Sequence, residues 1–288
     1  MKQRVITAVV LLALLAVVVW QIYTPLFIAV IAFLSAVAAN EIIKCAKVQN
    51  KFLIAAGTVV GFIVPLFSSA SVLEPVPTEV WGAIISAVPT TVFVIAIVIV
   101  LLLSMLREYS ITKFEDVAIT FFAGIVVPYG FSTFGRLRDI AGFREQIGVY
   151  LIFYGLIAAL GTDTGAQLGG MAFGKHKMCP NISPKKTVEG AVSGVITGVV
   201  LNAVAMVLYN KFAVQPLDKT TMITLMVCAP FVSFLSMMGD LSASVLKRNF
   251  GVKDFGKIFP GHGGVMDRFD SSLFTVPITY CIATFLIK

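Results

Sequence analysis

The densest group of chemically active side chains lies near the C-terminal end of the chain, in SVLKRNFGVKDFGKIFPGHGGVMDRFD, residues 244–270. Asp240, Ser244 and Lys247 are spaced i, i+4 and i+7, so they share one face of a predicted helix. Further basic residues, glycines and carboxylates follow them: Arg248, Lys253, Lys257, Gly261, His262, Gly263, Gly264, Asp267, Arg268 and Asp270. Carboxylates bind hard cations, Lys and Arg bind phosphate oxygens, and glycines let a backbone approach a ligand closely. The pattern predicts a site for Mg²⁺ with a polyphosphate.

A second polar group lies earlier, in DTGAQLGGMAFGKHK and the basic run GKHKMCPNISPKKTVEG, residues 174–190. Asp163 and Gln167 are four residues apart and share a helix face. Ser183 followed by Pro184 predicts a helix start, because proline is favoured at the first helical position. A helix N-terminus beside Lys185 and Lys186 would attract phosphate. The lysines are equally explained by ordinary positive charge on the cytoplasmic side of a membrane.

Three carboxylates lie inside or at the ends of apolar spans, namely Asp163, Glu189 and Asp240. A charged residue at the centre of a membrane span costs about 2.5–3.5 kcal/mol on insertion scales, so such residues usually face a cavity and serve a function. The alternative for each is a residue at a helix end that reaches to the membrane surface. Their polar contexts fall on one predicted side of the membrane, which favours a shared site.

The composition predicts an all-α, polytopic transmembrane protein. Hydrophobic residues make up 58% of the 288 residues and charged residues 13%, and the mean hydropathy is +0.95. Charge-free runs approach or reach the roughly 20 residues that cross a bilayer. We predict about nine spans, near residues 5–20, 25–44, 52–69, 81–106, 115–135, 146–173, 187–210, 221–247 and 272–287. The first resembles a signal peptide but lacks a small-residue cleavage site, so we interpret it as a retained helix.

The net charge of +7 is explained by membrane sidedness and phosphate ligands, so no nucleic-acid partner is predicted. Most basic residues fall on the cytoplasmic side if the N-terminus is inside and the C-terminus outside. The loop GRLRDIAGFREQ is the exception, with three arginines on the outer side. The four cysteines form no CxxC pair, and His262 with Asp267 lacks a second His or Cys partner, so zinc is not favoured.

The two halves of the chain differ in how much chemistry they carry. We interpret residues 1–140 as lipid-facing scaffold helices and residues 141–288 as the catalytic region with cytoplasmic polar loops. GxxxG pairs in the second half indicate helices packed closely against one another. They are Gly165–Gly169, Gly170–Gly174, Gly190–Gly194 and Gly194–Gly198.

The polar segments resemble the signatures of the CDP-diacylglycerol synthases, also called phosphatidate cytidylyltransferases. The C-terminal signature is matched by Ser244, Lys247, Arg248, Lys253, Asp254, His262, Gly263, Gly264, Asp267, Arg268 and Asp270. A second family block is matched by Asp163, Thr164, Gly165, Ala166, Ser183, Pro184, Lys185, Lys186, Thr187, Glu189 and Gly190. Gln167 departs from the pattern, which has an aromatic residue there. The resemblance is specific over roughly residues 155–272.

The resemblance implies transfer of CMP from CTP to phosphatidic acid, giving CDP-diacylglycerol and pyrophosphate. It implies Mg²⁺, a homodimer, and a cytoplasm-facing active site in the cell membrane, in contact with membrane lipids. A second, monovalent cation stays open. Asp240 and Asp267 are the first metal-ligand candidates, with Asp163 and Asp270 as second choices. For phosphate neutralisation or substrate contact the candidates are Lys185, Lys186, Lys247, Arg248, Ser244, His262, Ser183, Thr187, Lys253, Arg268, Gly263 and Gly264.

Two other functions are compatible with intramembrane carboxylates. A secondary transporter is the main alternative, but transporters commonly show internal repeats and helices broken at mid-membrane. The sequence shows neither, and its charges gather at one membrane face. A polyprenol or phytol kinase would have related architecture, but the complete C-terminal signature argues against it.

Overall fold

The computed structural model describes residues 16–67, 90–140 and 146–286. The chain divides into two compact units, and each unit is discontinuous in sequence. The first comprises Met1–Gly135 and Asp254–Met266, and the second comprises Arg136–Lys253 and Asp267–Lys288. Most of the predicted first span, the start of the predicted fourth span and the loop between residues 70 and 81 lie outside the described residues.

The first unit is built from helices, and the residues at the starts of α1 and α2 explain where those two helices begin. They are α1 (Pro25–Cys45), α2 (Lys51–Leu66), α3 (Thr90–Arg107), α4 (Phe114–Phe121), a π-helical turn (Phe122–Val126) and α5 (Val127–Arg138), which ends in the second unit. Proline at the first turn of α1 suits a helix start, because its missing N–H would be unpaired there. The side chain of Asn50 caps α2, accepting the N–H groups of Phe52 and Leu53 at 2.9 and 3.2 Å.

Helix α1 packs against α2 through small and polar residues. Buried Ser35 donates a 2.7 Å hydrogen bond to the carbonyl of Gly61. Gly57 of α2 also lies against the π-helical turn, where a Cβ on Gly124 would be 3.0 Å from the Gly57 Cα. The Ser35 hydrogen bond satisfies polar groups inside the unit, which lipid cannot do.

Residues 254–266 return to the first unit as a compact turn. The Phe259 N–H donates to the Gly263 carbonyl at 2.9 Å, and the His262 N–H donates to the Phe259 carbonyl at 2.8 Å. Gly261 and Gly263 have φ values of +77° and +82°, which side chains other than hydrogen rarely allow. Part of the C-terminal signature therefore folds with the N-terminal helices.

The second unit combines long helices with one small hairpin. Its elements are α6 (Gln146–Phe173), β1 (Lys177–Cys179), β2 (Ser183–Thr187), α7 (Val188–Phe212), α8 (Lys219–Asn249), α9 (Met266–Phe269) and α10 (Ser272–Leu286), with Met266 itself counted in the first unit. Buried hydrogen bonds join α6 to its neighbours. The Tyr154 hydroxyl donates to the Leu225 carbonyl at 2.7 Å, and Thr275 donates to the Gly155 carbonyl at 2.8 Å.

Glycines bring α6 and α7 into close contact, which confirms the packing predicted from the GxxxG pairs. A Cβ on Gly165 would overlap the Thr197 side chain, and one on Gly169 would overlap Ser193. In return, Ser193 donates a 2.9 Å hydrogen bond to the Gly165 carbonyl. Such an approach is open only to residues without a side chain.

The predicted helix start at Ser183–Pro184 is wrong. Residues Ser183–Thr187 form a strand that pairs antiparallel with Lys177–Cys179. The helix begins at Val188, and Thr187 is its cap, because the Thr187 Oγ1 accepts the Gly190 N–H at 3.1 Å. Pairing of the two strands supplies the backbone of this basic segment with the hydrogen-bond partners that a longer helix would have supplied.

The structure confirms a helical membrane protein. Among the described residues, five helical stretches are long and apolar enough to cross a membrane: Pro25–Cys45, Phe114–Arg138, Gln146–Phe173, Val188–Phe212 and Lys219–Asn249. Helix α2, the later part of α3, and α10 are apolar but shorter. The count of nine spans and the N-in/C-out orientation stay predictions.

The prediction that Arg136 and Arg138 lie in a loop is wrong, because both lie in the last turn of α5, and both have protein partners. Arg138 is fully buried and its Nε donates to Asp139 Oδ1 at 2.7 Å. The Arg136 guanidinium lies 6.0 Å from the centre of the Tyr280 ring, within cation–π range. Arg144 lies outside the described residues. Contacts within the protein therefore explain why arginine is present at positions 136 and 138.

Candidate active site

Four aspartates of the second unit form an electrostatically linked group. Asp163 projects from α6, Asp240 from α8, and Asp267 and Asp270 from α9 and the residues just after it. Asp267 and Asp270 are only 8% and 9% exposed. Burying carboxylates is costly unless cations or hydrogen-bond donors surround them. Asp270 interacts electrostatically with both Asp240 and Asp163, and it shares Lys247 with Asp267. The structure thus places all four predicted metal ligands in one neighbourhood.

Two predicted phosphate-binding lysines reach these aspartates. The Lys247 Nζ lies 3.0 Å from Asp267 Oδ1 and 3.9 Å from Asp270 Oδ2. The Lys186 Nζ forms an ion pair with Asp240 Oδ2. The two lysines come from different elements, α8 and strand β2.

Ser271 joins the remaining carboxylate to the group. Its hydroxyl donates to Asp163 Oδ2 at 3.0 Å, and its backbone N–H donates to Asp270 Oδ1 at 2.8 Å. Ser271 is 4% exposed. The sequence did not identify it, although it directly follows the last residue of the signature.

The surroundings of Asp270 disfavour its ionised form, chiefly through burial. Burial, followed by the nearby Asp240 carboxylate, raises the pKa of Asp270 to about 7, although Lys247 acts in the opposite direction. A carboxyl group that resists ionisation beside other carboxylates marks a site that would gain from an added cation.

The chemistry of this donor set fits Mg²⁺ that arrives with a phosphate ligand. Among the described residues, no three His, Cys, Asp or Glu side chains are close enough to hold a metal ion by themselves. Mg²⁺ is usually bound by one or two carboxylates together with water and substrate phosphates, so it does not need such a cage. All four candidate side chains offer the hard oxygen atoms it prefers.

Arg248 makes contacts that the sequence did not indicate. Its guanidinium donates to the carbonyls of Ile182, between the strands, and Val252, at 3.4 and 3.3 Å. It thus links the end of α8 to the hairpin connection, while its side chain stays exposed. The structure places it near the basic run, with its donors directed at backbone carbonyls.

The other predicted substrate contacts of this unit occupy varied positions. Ser244 is half-buried on α8, one turn after Asp240, and Thr187 is buried as the cap of α7. Ser183 pairs with Cys179 in the hairpin. The remaining residues are exposed: Lys185, Lys253 and Arg268.

Glu189 acts as a local anchor within the described structure. It lies in the first turn of α7 and accepts the backbone N–H of Lys175 at 3.0 Å. It also accepts the His176 N–H at 3.2 Å, and one of its oxygens lies 2.5 Å from His176 Nδ1. It therefore ties the residues after α6 to the start of α7, and it is not among the carboxylates that the lysines bridge.

His262, Gly263 and Gly264 belong to the first unit. The Nδ1 of His262 is buried and has no hydrogen-bond partner among the described residues. Gly264 is buried, and a Cβ there would overlap the carboxylate of Glu41. The absence of a side chain at Gly264 thus makes room for a protein group, whereas the sequence indicated room for a ligand.

Known proteins resemble this chain over nearly its whole length. A family model described as the cytidylyltransferase family matches residues 2–286. The chain belongs to the cytidylyltransferase family. This confirms the family resemblance drawn from the two polar signatures.

Individual relatives of this cytidylyltransferase-family protein carry a more specific name. The phosphatidate cytidylyltransferase of Bacillus subtilis (strain 168) is 37% identical over 185 residues, which cover 64% of each chain. That of Staphylococcus saprophyticus is 40% identical over 131 residues, covering 46% of this chain and 48% of the relative. That of Staphylococcus aureus (strain COL) is 38% identical over 166 residues, covering 58% of each. The matched parts thus span about half to less than two thirds of these relatives.

Proposed function

We propose that this protein transfers CMP from CTP to phosphatidic acid, producing CDP-diacylglycerol and pyrophosphate. The observation that carries the proposal is the group of four aspartates, of which three pair with Lys186 or Lys247 and the fourth, Asp163, accepts a hydrogen bond from Ser271. Family membership and the printed name of the relatives support the same reaction. A site with both carboxylates and ammonium groups suits a reaction between two phosphate-bearing molecules.

The reaction needs charge neutralisation more than it needs a strong base. A phosphomonoester loses its second proton near pH 6, so the lipid phosphate is largely dianionic at neutral pH. Its oxygen forms a bond to the α-phosphorus of CTP while the bond from that phosphorus to the β-phosphate oxygen breaks. Pyrophosphate leaves with the electron pair. The barrier comes largely from bringing a dianion to a triphosphate.

Lys186 and Lys247 are placed to lower that barrier. Each ammonium group is paired with an aspartate in the structure. When phosphate oxygens enter, the lysines can exchange a carboxylate partner for a phosphate partner, because both offer negatively charged oxygen atoms. Holding the reactants in line can supply a further ~7–11 kcal/mol. Lys185, Arg248, Lys253 and Arg268 add positive charge in the same unit.

Mg²⁺ is the proposed cofactor, with Asp240 and Asp267 as its ligands and Asp163 and Asp270 as second choices. The ion would neutralise the phosphates and the charge that develops on the leaving pyrophosphate. The raised pKa of the Asp270 carboxyl supports this, because burial and then the nearby Asp240 carboxylate disfavour its charged form, and an added cation would favour it. A second, monovalent cation would serve the same purpose.

The proposed substrates account for the membrane setting. Phosphatidic acid carries two acyl chains and would enter from the cytoplasmic leaflet, whereas CTP would enter from water. We accordingly propose a cell-membrane enzyme whose active site faces the cytoplasm, surrounded by lipid and assembled as a homodimer. Apolar helices of membrane-spanning length support the first of these statements.

The deciding experiment uses CTP labelled on its α-phosphate. The full chain, purified in mild detergent, is mixed with phosphatidic acid and Mg²⁺, and label is measured in the lipid phase. We expect lipid labelling that stops on addition of EDTA and returns with excess Mg²⁺. Labelled ATP serves as the nucleotide control. Folded protein that labels neither phosphatidic acid nor other lipid acceptors would reject the proposal and direct attention to transport assays in vesicles.

A further inference from the structure

Glu41 is a buried carboxylate within residues 1–140, which we interpreted from the sequence as lipid-facing scaffold helices. It lies one turn before the end of α1, is 7% exposed, and is the one acidic residue of that helix. An isolated buried carboxylate is costly, so its burial requires strong hydrogen-bond partners. Those partners come from a segment more than two hundred residues later in the chain.

Both carboxylate oxygens of Glu41 accept backbone N–H groups. Oε1 accepts the Val265 N–H at 3.1 Å, and Oε2 accepts the Met266 N–H at 2.9 Å. These donors lie at the start of α9, where helix N–H groups lack partners within the helix. The next residue in the chain is Asp267.

The surrounding chain is shaped to admit the Glu41 side chain. A Cβ at either Gly256 or Gly264 would overlap the carboxylate where it now lies, so glycine at both positions leaves the space that Glu41 occupies. One turn further along α1, the Cys45 thiol donates to the Phe255 carbonyl at 3.0 Å. Helix α1 therefore holds the 254–266 segment near both of its ends.

We propose that Glu41 is a positioning residue for the reaction, acting through the backbone that leads into Asp267. By fixing the N–H groups of Val265 and Met266, it sets where α9 begins and which way the Asp267 side chain leaves the backbone. Glu41 does not need to touch a substrate for this role. The role in turnover rests on the proposed function, whereas the anchoring of residues 254–266 does not.

Two variants of Glu41 and one control test the proposal. Glu41→Gln keeps the size of the side chain but replaces one acceptor oxygen with an amide donor, which faces a backbone N–H. Glu41→Asp keeps the charge and shortens the reach by one methylene. Ser35→Ala is the control, because it removes another buried hydrogen bond of α1, the 2.7 Å bond to Gly61, without touching residues 254–266.

The first readout is amide hydrogen exchange, which is independent of activity. We expect both Glu41 variants to exchange faster at Val265, Met266 and their neighbours, and Ser35→Ala to leave these amides unchanged. The second readout is kcat at a temperature where all variants are folded. A small displacement remote from the chemistry can cost roughly a hundredfold, so we expect a loss of that order for Glu41→Gln and almost none for the control.

The outcomes separate anchoring, positioning and activity. Wild-type exchange at residues 254–266 in both Glu41 variants would overturn the anchoring. Faster exchange with unchanged kcat, or a loss of kcat equal to that of Ser35→Ala, would overturn the positioning role. If Glu41→Gln does not fold, Glu41→Asp decides by the same criteria. A wild-type protein without cytidylyltransferase activity would overturn the proposed function and with it the positioning role, while hydrogen exchange would still decide the anchoring.

Discussion

The ammonium nitrogen of Lys247 lies 3.0 Å from the Oδ1 of Asp267, in surroundings that leave 13% and 4% of the two side chains exposed. Water therefore screens the attraction between these two groups little. The same ammonium lies within 4 Å of Asp270. Removing the charge of one aspartate would leave Lys247 a second carboxylate, so the fold should tolerate the change better than the chemistry does.

Asp267→Asn should abolish CDP-diacylglycerol formation while leaving the protein folded. The amide keeps the shape of the carboxylate but cannot supply a negatively charged oxygen to Mg²⁺. Label transfer from CTP to lipid measures the first effect, and thermal unfolding in detergent measures the second. Asp218→Asn is the matched control, since Asp218 caps the opposite end of α8 and asparagine also caps helices well. Near-normal activity of Asp267→Asn would remove this residue from the metal site.

Lys186→Ala should impair turnover more than Lys185→Ala, although the two lysines are neighbours in β2. Lys186 is paired with Asp240, whereas Lys185 is exposed. A hydrogen bond to a charged group contributes about 1.5–3 kcal/mol, which corresponds to roughly a tenfold to hundredfold loss in kcat/KM. Lys185→Ala should raise the KM of a phosphate-bearing substrate, with a smaller loss in kcat/KM than Lys186→Ala causes. Equal effects at both positions would mean that Lys186 contributes only to the general positive charge of the hairpin.

Much of the site could be predicted from the sequence because the types of its residues indicate their chemistry. Asp163, Asp240, Asp267 and Asp270 are carboxylates beside apolar runs or glycines, and the cost of burying them indicates a function. The structure brings all four together. The hairpin was missed because Ser183–Pro184 matches a helix start locally. The competing strand pairing with Lys177–Cys179 is not visible in that dipeptide.

The residues that the sequence did not reveal act through long-range contacts. Ser271 looks like an ordinary helix-start serine, and its bond to Asp163 crosses more than a hundred residues. Glu41 resembles a carboxylate at a helix end that reaches the membrane surface. Its one available signal was its position as the sole acid in an apolar run. Neither contact follows from local spacing, because each depends on how distant helices pack.

Gly169→Ala should destabilise the second unit, and Ser193→Gly should partly restore it. The added methyl group would overlap Ser193, and such overpacking typically costs about 1–3 kcal/mol. Removing the serine side chain opens the space but also loses its bond to Gly165. Thermal unfolding of the two single variants and the double variant measures the coupling. Simple addition of the two losses would contradict direct contact between these positions.

Asn50→Ala should lower stability without a direct effect on chemistry. Asn50 is 1% exposed, caps α2, and also donates to Ser104 at 3.1 Å and Thr112 at 2.9 Å. Loss of a cap costs about 1 kcal/mol, and the orphaned hydroxyl groups add to that. Asn50→Asp separates the two contributions, because aspartate keeps the cap acceptor and loses the donors. An unfolding temperature of Asn50→Ala equal to the wild type would contradict this role.

The turn at residues 254–266 also sets the order in which the protein can mature during synthesis. The first unit includes the earliest part of the chain, yet its last segment is synthesised only when nearly nine tenths of the chain has been made. Until then the Glu41 carboxylate lacks the Val265 and Met266 N–H groups. Helix α1 must therefore lack this anchor while residues 136–253 of the second unit are synthesised. A chain released before residue 254 would lack the last segment of its first unit, so that unit can be completed only after residues 136–253 of the second unit have been synthesised.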